Sequence, residues 1–259
     1  MPAHNTLAEK PFAIVIMAAG KGTRLKSRRA KVLHQIGGKP LLAHVIAAAA
    51  RIVPERDIYV VIGHQAEDVR TAVQNTGVQF VLQAEQRGTG HAIMCAREQI
   101  QSYSDILVLS GDVPLILPQT IEKLRDFHLA QKAAMTILTA EPSEPFGYGR
   151  IIRAARGSAN VKAIVEQKAL SKAQQKVREI NSGIYAFAAR PLFANIDRLT
   201  TDNPHGEFYL TDMAALLVKG RNKVVALKTD DPNEVLGANT LAELASLDAQ
   251  LRARKCQQL

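Results

Sequence analysis

Short apolar runs alternate with helical patterns through the first half of the chain. Apolar-rich runs of strand length occupy 12–17, 58–62, 78–82 and 106–109. Segments with apolar residues every three or four positions occupy 41–52, 67–74, 89–100 and 118–131. Strands that are apolar on both faces and are separated by helices are typical of a mostly parallel sheet that helices cover on both sides. The first half therefore predicts a Rossmann-like α/β fold.

The second half is richer in short strands. Strand-like runs at 135–140, 149–153 and 161–166 are separated by Gly and Pro turns, with little helix between them. Strands at 184–188 and 223–228 follow, with two helices between them, and a long helical pattern begins at 233. We expect a β-rich lobe across a cleft from the main sheet, and then the last strands of that sheet. The chain divides into a main domain at 1–230 and a C-terminal helical arm at 231–259.

The charge balance indicates an anionic ligand. The formal charge is +9, and several basic residues cluster after the first strand: Lys21, Arg24, Lys26, Arg28, Arg29 and Lys31. A strongly basic surface can attract phosphate groups or nucleic acid. No recognition-helix pattern, zinc-ligand spacing or RNP-like aromatic motif accompanies the cluster, and Trp is absent. We therefore expect a small phosphorylated ligand rather than DNA or RNA.

Nothing in the composition indicates export or membrane insertion. Cys95 and Cys256 lie far apart and show no metal-ligand spacing, which fits a reducing compartment. The first residues lack the apolar core of a signal peptide, and no apolar run is long enough to cross a bilayer. We expect a cytoplasmic protein without nucleic-acid or membrane partners.

A Gly-rich loop with the sequence AAGKGTR leaves the first strand at 18–24. Glycines let the backbone approach a ligand closely, and successive N–H groups can hold phosphate oxygens. The two better-known phosphate loops do not match. Both the dinucleotide fingerprint and the P-loop would need glycine where this chain has Leu25. The residues alone leave two interpretations open, a phosphate loop and a plain connection from strand to helix.

The loop belongs to a longer motif, AAGKGTRLKSRRAKVLH at 18–34. It resembles the signature of the sugar nucleotidyltransferase superfamily, especially the bacterial N-acetylglucosamine-1-phosphate uridyltransferases, which is roughly LAAGxGTRMxSxxPKVLH. Further matches follow in the family's order: QAEQRGTGHA (83–92), SGDVPL (110–115), GYGRI (147–151), IVEQK (164–168), INSGI (180–184), EFYLTD (207–212) and GAN (237–239). The resemblance covers nearly the whole chain. It implies a nucleotide-diphospho-sugar transferase fold in which the β-rich lobe binds the sugar.

The resemblance also implies catalytic residues and a metal cofactor. Arg24 and Lys31 would neutralise the phosphates of UTP and the leaving pyrophosphate. Asp112 would bind Mg²⁺, with Asn239 as the second protein ligand, and oxygen ligands of this kind suit Mg²⁺. On the residues alone, helix capping or turn formation is the more common use of a strand-end aspartate such as Asp112, and Asn239 would be a helix cap.

Two further sets of residues are implied for the substrates. Gln83 would read the uracil edge, because an amide can both donate and accept hydrogen bonds. The other nucleotide-binding positions would be Ala18, Ala19, Gly20, Gly22, Lys31, Gly88, Thr89 and Gly111. The sugar-binding positions would be Gly149, Glu166, Asn181 and Asn239. Without the resemblance, Thr89 would be a helix cap and Glu166 an exposed carboxylate at a strand end.

The implied reaction joins UTP to N-acetylglucosamine 1-phosphate and releases pyrophosphate, which makes UDP-N-acetylglucosamine, a precursor of peptidoglycan. Two departures bear on it: Ala30 stands where the family has proline, and Ala169 stands where it has aspartate. Alternatives are another sugar phosphate or nucleotide, a non-catalytic UDP-sugar-binding protein, and a basic nucleic-acid-binding module. No hexapeptide repeat of the family's acetyltransferase domain appears. We therefore expect no acetyl transfer by this chain, leave a separate acetyltransferase partner open, and assign no oligomeric state.

Overall fold

Strands and helices alternate along the described part of the chain, which in this computed structural model comprises residues 10–22 and 25–257. The strands are β1 (Lys10–Met17), β2 (Gln35–Ile36), β3 (Lys39–Pro40), β4 (Ile58–Ile62), β5 (Gln79–Leu82), β6 (Tyr103–Ser110), β7 (Met135–Ala140), β8 (Arg150–Arg153), β9 (Val161–Val165), β10 (Ile180–Ala188) and β11 (Val224–Lys228). The helices are α1 (Leu41–Ala49), α2 (Ala66–Ala72), α3 (Thr89–Ile100), α4 (Pro118–Gln131), α5 (Ala189–Asn195), α6 (Asp212–Lys219) and α7 (Leu241–Gln257).

A nine-stranded sheet forms the centre of the molecule, in the order β11-β7-β10-β6-β1-β4-β5 with β8 and β9 attached beside β10. β1 pairs in parallel with β4 and β6, β4 with β5, and β7 with β11. β10 runs antiparallel to its neighbours β6 and β7. The predicted mostly parallel α/β sheet is confirmed.

Two apolar layers cover the two faces of this sheet. Alternate residues of a strand point to opposite faces, and in β1 Ile14 packs into one layer while Val15 packs into the other. The first layer includes residues of α1 and α4, and the second includes residues of α3, α5 and α6. Because helices shield both faces, the central strands lack the alternation of polar and apolar residues that marks a half-exposed strand.

The β-rich part of the second half forms a small antiparallel extension. β8 pairs with β9, and β8 meets β10 where Arg150 lies opposite Ile180. This arrangement places the end of β9 and the start of β10 beside the loop that precedes β8. Glu166, Asn181 and Gly149 lie at those three places.

The C-terminal helix differs from its prediction in where it begins. Residues 232–235 form a short 3-10 turn, and α7 starts only at Leu241. Thr240 and Glu243 form a capping box, in which Glu243 Oε2 accepts from Thr240 N–H at 2.8 Å and Thr240 Oγ1 accepts from Glu243 N–H at 3.1 Å. The helix then packs on the main domain through Leu247, in an apolar cluster with Ile36, Leu41, Leu115 and Ala238. The β2–β3 hairpin that supplies Ile36 was not predicted.

None of the helices in the described part of the chain has the length and hydropathy that a bilayer span requires.

Candidate active site

Two loops meet at the carboxyl ends of the neighbouring parallel strands β1 and β6. The Gly-rich loop follows Met17, and Gly111 follows β6 and donates its N–H to Met17 O at 3.0 Å. Chain connections diverge at this point, since β1 leads to β4 on one side while β6 lies on the other. Open α/β sheets bind ligands at such a switch point.

Three side chains predicted for phosphate and metal chemistry converge beside this switch point. Lys31 Nζ donates to Asn239 Oδ1 at 2.8 Å and forms an ion pair with the Asp112 carboxylate. The Lys31 and Asp112 side chains are 13% and 24% exposed, so the pair is shielded from water only in part. Neither Asp112 nor Asn239 caps a helix, because Leu117 is the N-cap of α4 and the Thr240 capping box begins α7. The turn predicted as the other alternative for Asp112 is present, since Val113 N–H donates to Ser110 O at 3.2 Å across it.

A divalent cation fits this oxygen pair. The Asp112 carboxylate and the Asn239 amide oxygen already share one cation, the Lys31 ammonium, and oxygen donors are the ligands that Mg²⁺ prefers. Gly237 packs closely on this carboxylate, and a Cβ at position 237 would lie 3.0 Å from Asp112 Oδ2 and require it to shift. Across residues 10–22 and 25–257, no group of three or more His, Cys, Asp or Glu side chains could hold a metal by itself. Water and substrate phosphates would therefore have to complete the coordination.

The Gly-rich loop packs directly on Lys31. Gly22 has φ +62°, and a Cβ at this position would lie 2.5 Å from Lys31 Cβ, so only glycine fits. Arg24, the second predicted catalytic cation, lies outside the described residues. Ala30 is fully buried with φ −54°, and its N–H donates to Gln65 Oε1. This φ is the one that proline would impose, so a hydrogen bond stabilises here the backbone that the family's proline sets covalently.

The predicted base-reading residue, Gln83, is 3% exposed. Its Nε2 donates to Gly88 O at 3.0 Å and lies 3.1 Å from His91 Nδ1. Gly88 has φ +105° and is the N-cap of α3. The alternative role of Thr89 as a helix cap is therefore wrong, and its Oγ1 accepts instead from Leu210 N–H at 2.9 Å.

Not every predicted backbone group of the loop is free to meet a base. The Ala18 N–H donates to Val61 O at 2.9 Å, and Ala19 O accepts from His64 N–H at 3.1 Å. Gly20 is exposed, and a Cβ at its position would meet no heavy atom within 4 Å. The open part of the loop is thus at Gly20 rather than at the amide of Ala18.

Three of the four predicted sugar-binding residues, Gly149, Glu166 and Asn181, line one cavity of about 840 Å³, whereas the fourth, Asn239, does not line it. Asn181 N–H donates to Gly149 O at 2.9 Å, and the Asn181 side chain donates to the Tyr185 hydroxyl at 2.9 Å. The third predicted residue, Glu166, accepts from Thr211 Oγ1 at 3.3 Å. A second cavity of about 350 Å³ is lined by Lys31, Asp112 and Asn239, and it shares Ser110, Gly147, Tyr148 and Ser182 with the first. Lys31, Asp112 and Asn239 (the cation cluster) therefore lie next to the cavity that Gly149, Glu166 and Asn181 line (the sugar cavity).

Glu166 is an exposed residue just past the end of β9, as expected without the resemblance, and its carboxyl group is only partly withdrawn from water. Burial raises its pKa above the ordinary glutamate value, and the negative charge of Asp212 adds to this, while the Thr211 hydrogen bond and His205 act in the opposite direction. Burial also raises the pKa of Asp212 and of Tyr209. Perturbed groups that cluster in a cavity are typical of functional sites.

The sequence did not identify all the polar residues of the sugar cavity. Tyr185, Tyr209 and Thr211 line it beside the predicted set. Tyr209 and Thr211 belong to the EFYLTD motif, which carried the resemblance without an assigned role, so their signal was present. Tyr185 follows INSGI directly and has none of its own.

Comparison with known proteins agrees with this geometry. The model of the MobA-like NTP transferase domain matches residues 14–255. The chain belongs to this family. The membership confirms the nucleotidyltransferase resemblance drawn from the motifs.

Bacterial members of known name cover almost all of this chain. It is 62% identical over 251 residues to the bifunctional protein GlmU of Koribacter versatilis (strain Ellin345), and this match covers 96% of this chain and 54% of the relative. It is 45% identical over 247 residues to the bifunctional protein GlmU of Solibacter usitatus (strain Ellin6076), covering 95% and 53%. The chain thus spans about half the length of these relatives.

A solved structure supports the fold independently. A UDP-glucose pyrophosphorylase complexed with UDP-glucose matches with a TM-score of 0.70 at 16% identity, over 95% of this chain and 99% of that one. At this identity the likeness concerns the fold alone. The predicted nucleotide-diphospho-sugar transferase fold is confirmed.

Proposed function

We propose that this chain is a Mg²⁺-dependent nucleotidyltransferase that makes UDP-N-acetylglucosamine and pyrophosphate from UTP and N-acetylglucosamine 1-phosphate. One observation carries the proposal: the Lys31–Asp112–Asn239 cluster adjoins the cavity that Glu166 and Asn181 line. The family membership and the ordered motifs support the same reaction. The product would serve peptidoglycan precursor synthesis in the cytoplasm.

The reaction needs positioning and charge stabilisation more than proton transfer. A 1-phosphate oxygen of the sugar attacks the α-phosphorus of UTP in line, a new P–O bond forms, and the bond to the bridging oxygen breaks to release pyrophosphate. The attacking oxygen is already anionic, so no side chain has to remove a proton. Preorganised cations then supply most of the rate enhancement.

The residues of the cation cluster would have different roles in this charge stabilisation. Asp112 and Asn239 would hold Mg²⁺ through their oxygens, and the bound ion would neutralise phosphate charge. Lys31 lies in the same cavity and would donate to the phosphates and to the leaving pyrophosphate. Arg24 would add a second cation. Removing either cation should lower the rate on the order of 100-fold.

The remaining predicted residues would orient the substrates. Gln83 and the backbone at Gly20 and Gly88 would meet the base, while Glu166 and Asn181 would accept from and donate to the sugar. We also propose that the arm at 231–259 belongs functionally to the catalytic unit at 1–230, because it contributes Asn239 to the cluster. No oligomeric state and no acetyltransferase partner is assigned.

Pyrophosphate release from UTP, Mg²⁺ and N-acetylglucosamine 1-phosphate tests the proposal. We expect turnover in the unaltered chain, its loss in Asp112→Ala, and its retention in Asp126→Ala, which removes an exposed carboxylate on the remote helix α4. Turnover with a different nucleotide or sugar 1-phosphate only would overturn the substrate assignment. Tight binding of UDP-sugars without turnover of any pair would replace the enzyme by a binding protein.

A further inference from the structure

The amide group of Gln83 has both of its hydrogens engaged inside the protein. Its Nε2 lies 3.0 Å from Gly88 O and 3.1 Å from His91 Nδ1. A carbonyl oxygen can only accept, so the nitrogen of the amide must face Gly88. This contact excludes the flipped orientation, in which two oxygens would face each other.

The second hydrogen of the amide then determines the tautomer of His91. Because Gln83 Nε2 can only donate, His91 Nδ1 must accept, and the ring proton lies on Nε2. That nitrogen faces Cys95 Sγ at 3.7 Å, a weak acceptor. The imidazole ring is held over Phe208, with the ring centroids 6.4 Å apart and the planes at 29°.

The consequence for a ligand is that Gln83 offers only an acceptor. Among the described residues no donor bonds to Gln83 Oε1, whereas both amide hydrogens are used. The sequence predicts an amide that both donates to and accepts from the base. The structure differs, because both N–H groups of the amide already donate to Gly88 O and His91 Nδ1. An isolated acceptor pairs with the N3–H of an imide base such as uracil. Cytosine presents an unprotonated N3 at the same place, and two acceptors would then face each other.

We propose that His91 is a positioning residue for nucleotide specificity, which keeps Gln83 as an acceptor and so selects uracil over cytosine. The proposal rests on the proposed function, in which Gln83 meets the base. His91 itself need not touch the nucleotide. With both contacts in place, turning the amide toward cytosine N3 costs two hydrogen bonds; without the Nδ1 acceptor, only the bond to Gly88 O opposes the turn.

The test measures the dissociation constants of UTP and CTP by calorimetry, in the full chain with Mg²⁺. His91→Phe keeps the ring on Phe208 and removes the acceptor. His91→Asn restores an acceptor oxygen near the position of Nδ1. We expect the preference for UTP over CTP to fall about tenfold in His91→Phe, the scale of one lost hydrogen bond in a shielded site. His91→Asn should keep most of the preference. Cys95→Ala removes a thiol that lies 3.7 Å from Nε2 and 4.0 Å from Nδ1, and it should keep all of the preference because Gln83 still meets the Nδ1 acceptor.

Each other outcome overturns the proposal. An unchanged preference in His91→Phe would mean that His91 does not position Gln83. An equal loss in His91→Phe and His91→Asn, with unchanged melting temperatures, would mean that the acceptor at the position of Nδ1 does not set the preference. Equal binding of UTP and CTP by the unaltered chain would remove the specificity itself. The test compares dissociation constants and does not depend on turnover. Absence of pyrophosphate release would therefore refute the proposed reaction, but the effect of His91 on the preference for UTP could still be measured.

Discussion

Replacing Lys31 by methionine should strengthen divalent-cation binding by the nucleotide-free protein, although it lowers turnover. The Lys31 ammonium bonds to the same two oxygens, of Asp112 and Asn239, that would hold the metal. A divalent cation must therefore displace the ammonium before it binds. Methionine keeps the length of the side chain and its packing against Gly22, but does not compete for the oxygens.

The size of the effect follows from what the metal has to break. A hydrogen bond to a charged group contributes about 1.5–3 kcal/mol. Partial exposure, 13% for Lys31 and 24% for Asp112, favours the lower end because water screens the pair. About 1.5 kcal/mol corresponds to roughly a tenfold change in an equilibrium constant. We therefore expect the dissociation constant of Mn²⁺, used as a probe, to fall about tenfold.

Electron paramagnetic resonance of free Mn²⁺, titrated with protein in the absence of nucleotide, gives this constant directly. Lys21→Met is the matched control, because it removes the same charge from an exposed position of the same loop. Asp112→Asn should abolish the site in either background. If Lys31→Met binds Mn²⁺ no more tightly than Lys21→Met, the ammonium does not compete for these oxygens and the reasoning is refuted.

Three further predictions concern the sugar cavity and the stability of the fold. Burial raises the pKa of Glu166 above the ordinary glutamate value. The KM for the sugar 1-phosphate should therefore rise as the pH falls through this raised pKa, because the protonated carboxyl accepts less well. Glu166→Gln should flatten the pH profile, and a profile unchanged by the substitution would contradict the assignment. Glu179→Ala leaves Arg153 without its paired contacts at 2.6 and 2.8 Å and should lower the free energy of unfolding in urea by about 3 kcal/mol, whereas a loss under 1 kcal/mol would mean that water replaces the pair. Leu247→Ala should cost about 2–3 kcal/mol in the same assay and weaken Mn²⁺ binding, while Arg252→Ala, on the exposed side of α7, should change neither.

The sequence predicted the sheet well because its strands are buried on both faces. Such strands appear as uninterrupted apolar runs, and β4, β7 and the helices α3 and α4 begin and end where the pattern indicated. The β2–β3 hairpin has strands of two residues, which are too short to show any periodicity. The start of α7 was placed too early because apolar residues continue across 235–238, although the Thr240–Glu243 capping box was visible in the sequence.

In the candidate site too, the sequence predicted individual residues but not the contacts that join distant segments. Asp112 and Asn181 could be named from the sequence because both stand in motifs that resemble the family's, and Asp112 also follows a predicted strand. Their partners could not, since the contact of Lys31 with Asn239 spans 208 positions of the chain. The contact between Ala30 and Gln65 likewise joins segments 35 positions apart, so the sequence could not show that a hydrogen bond holds the backbone where the family has proline.

The position of Asn239 also sets an order of events during synthesis. The Gly-rich loop, Lys31 and Asp112 leave the ribosome early, and the sheet can be completed once β11 has emerged. The oxygen of Asn239 still has to follow, and Ala238 and Leu247 have to pack beside Ile36 before it is held in place. A nascent chain that has built its whole sheet therefore still has an incomplete cation cluster, and under the proposed function it would become able to use a nucleotide only when α7 has docked.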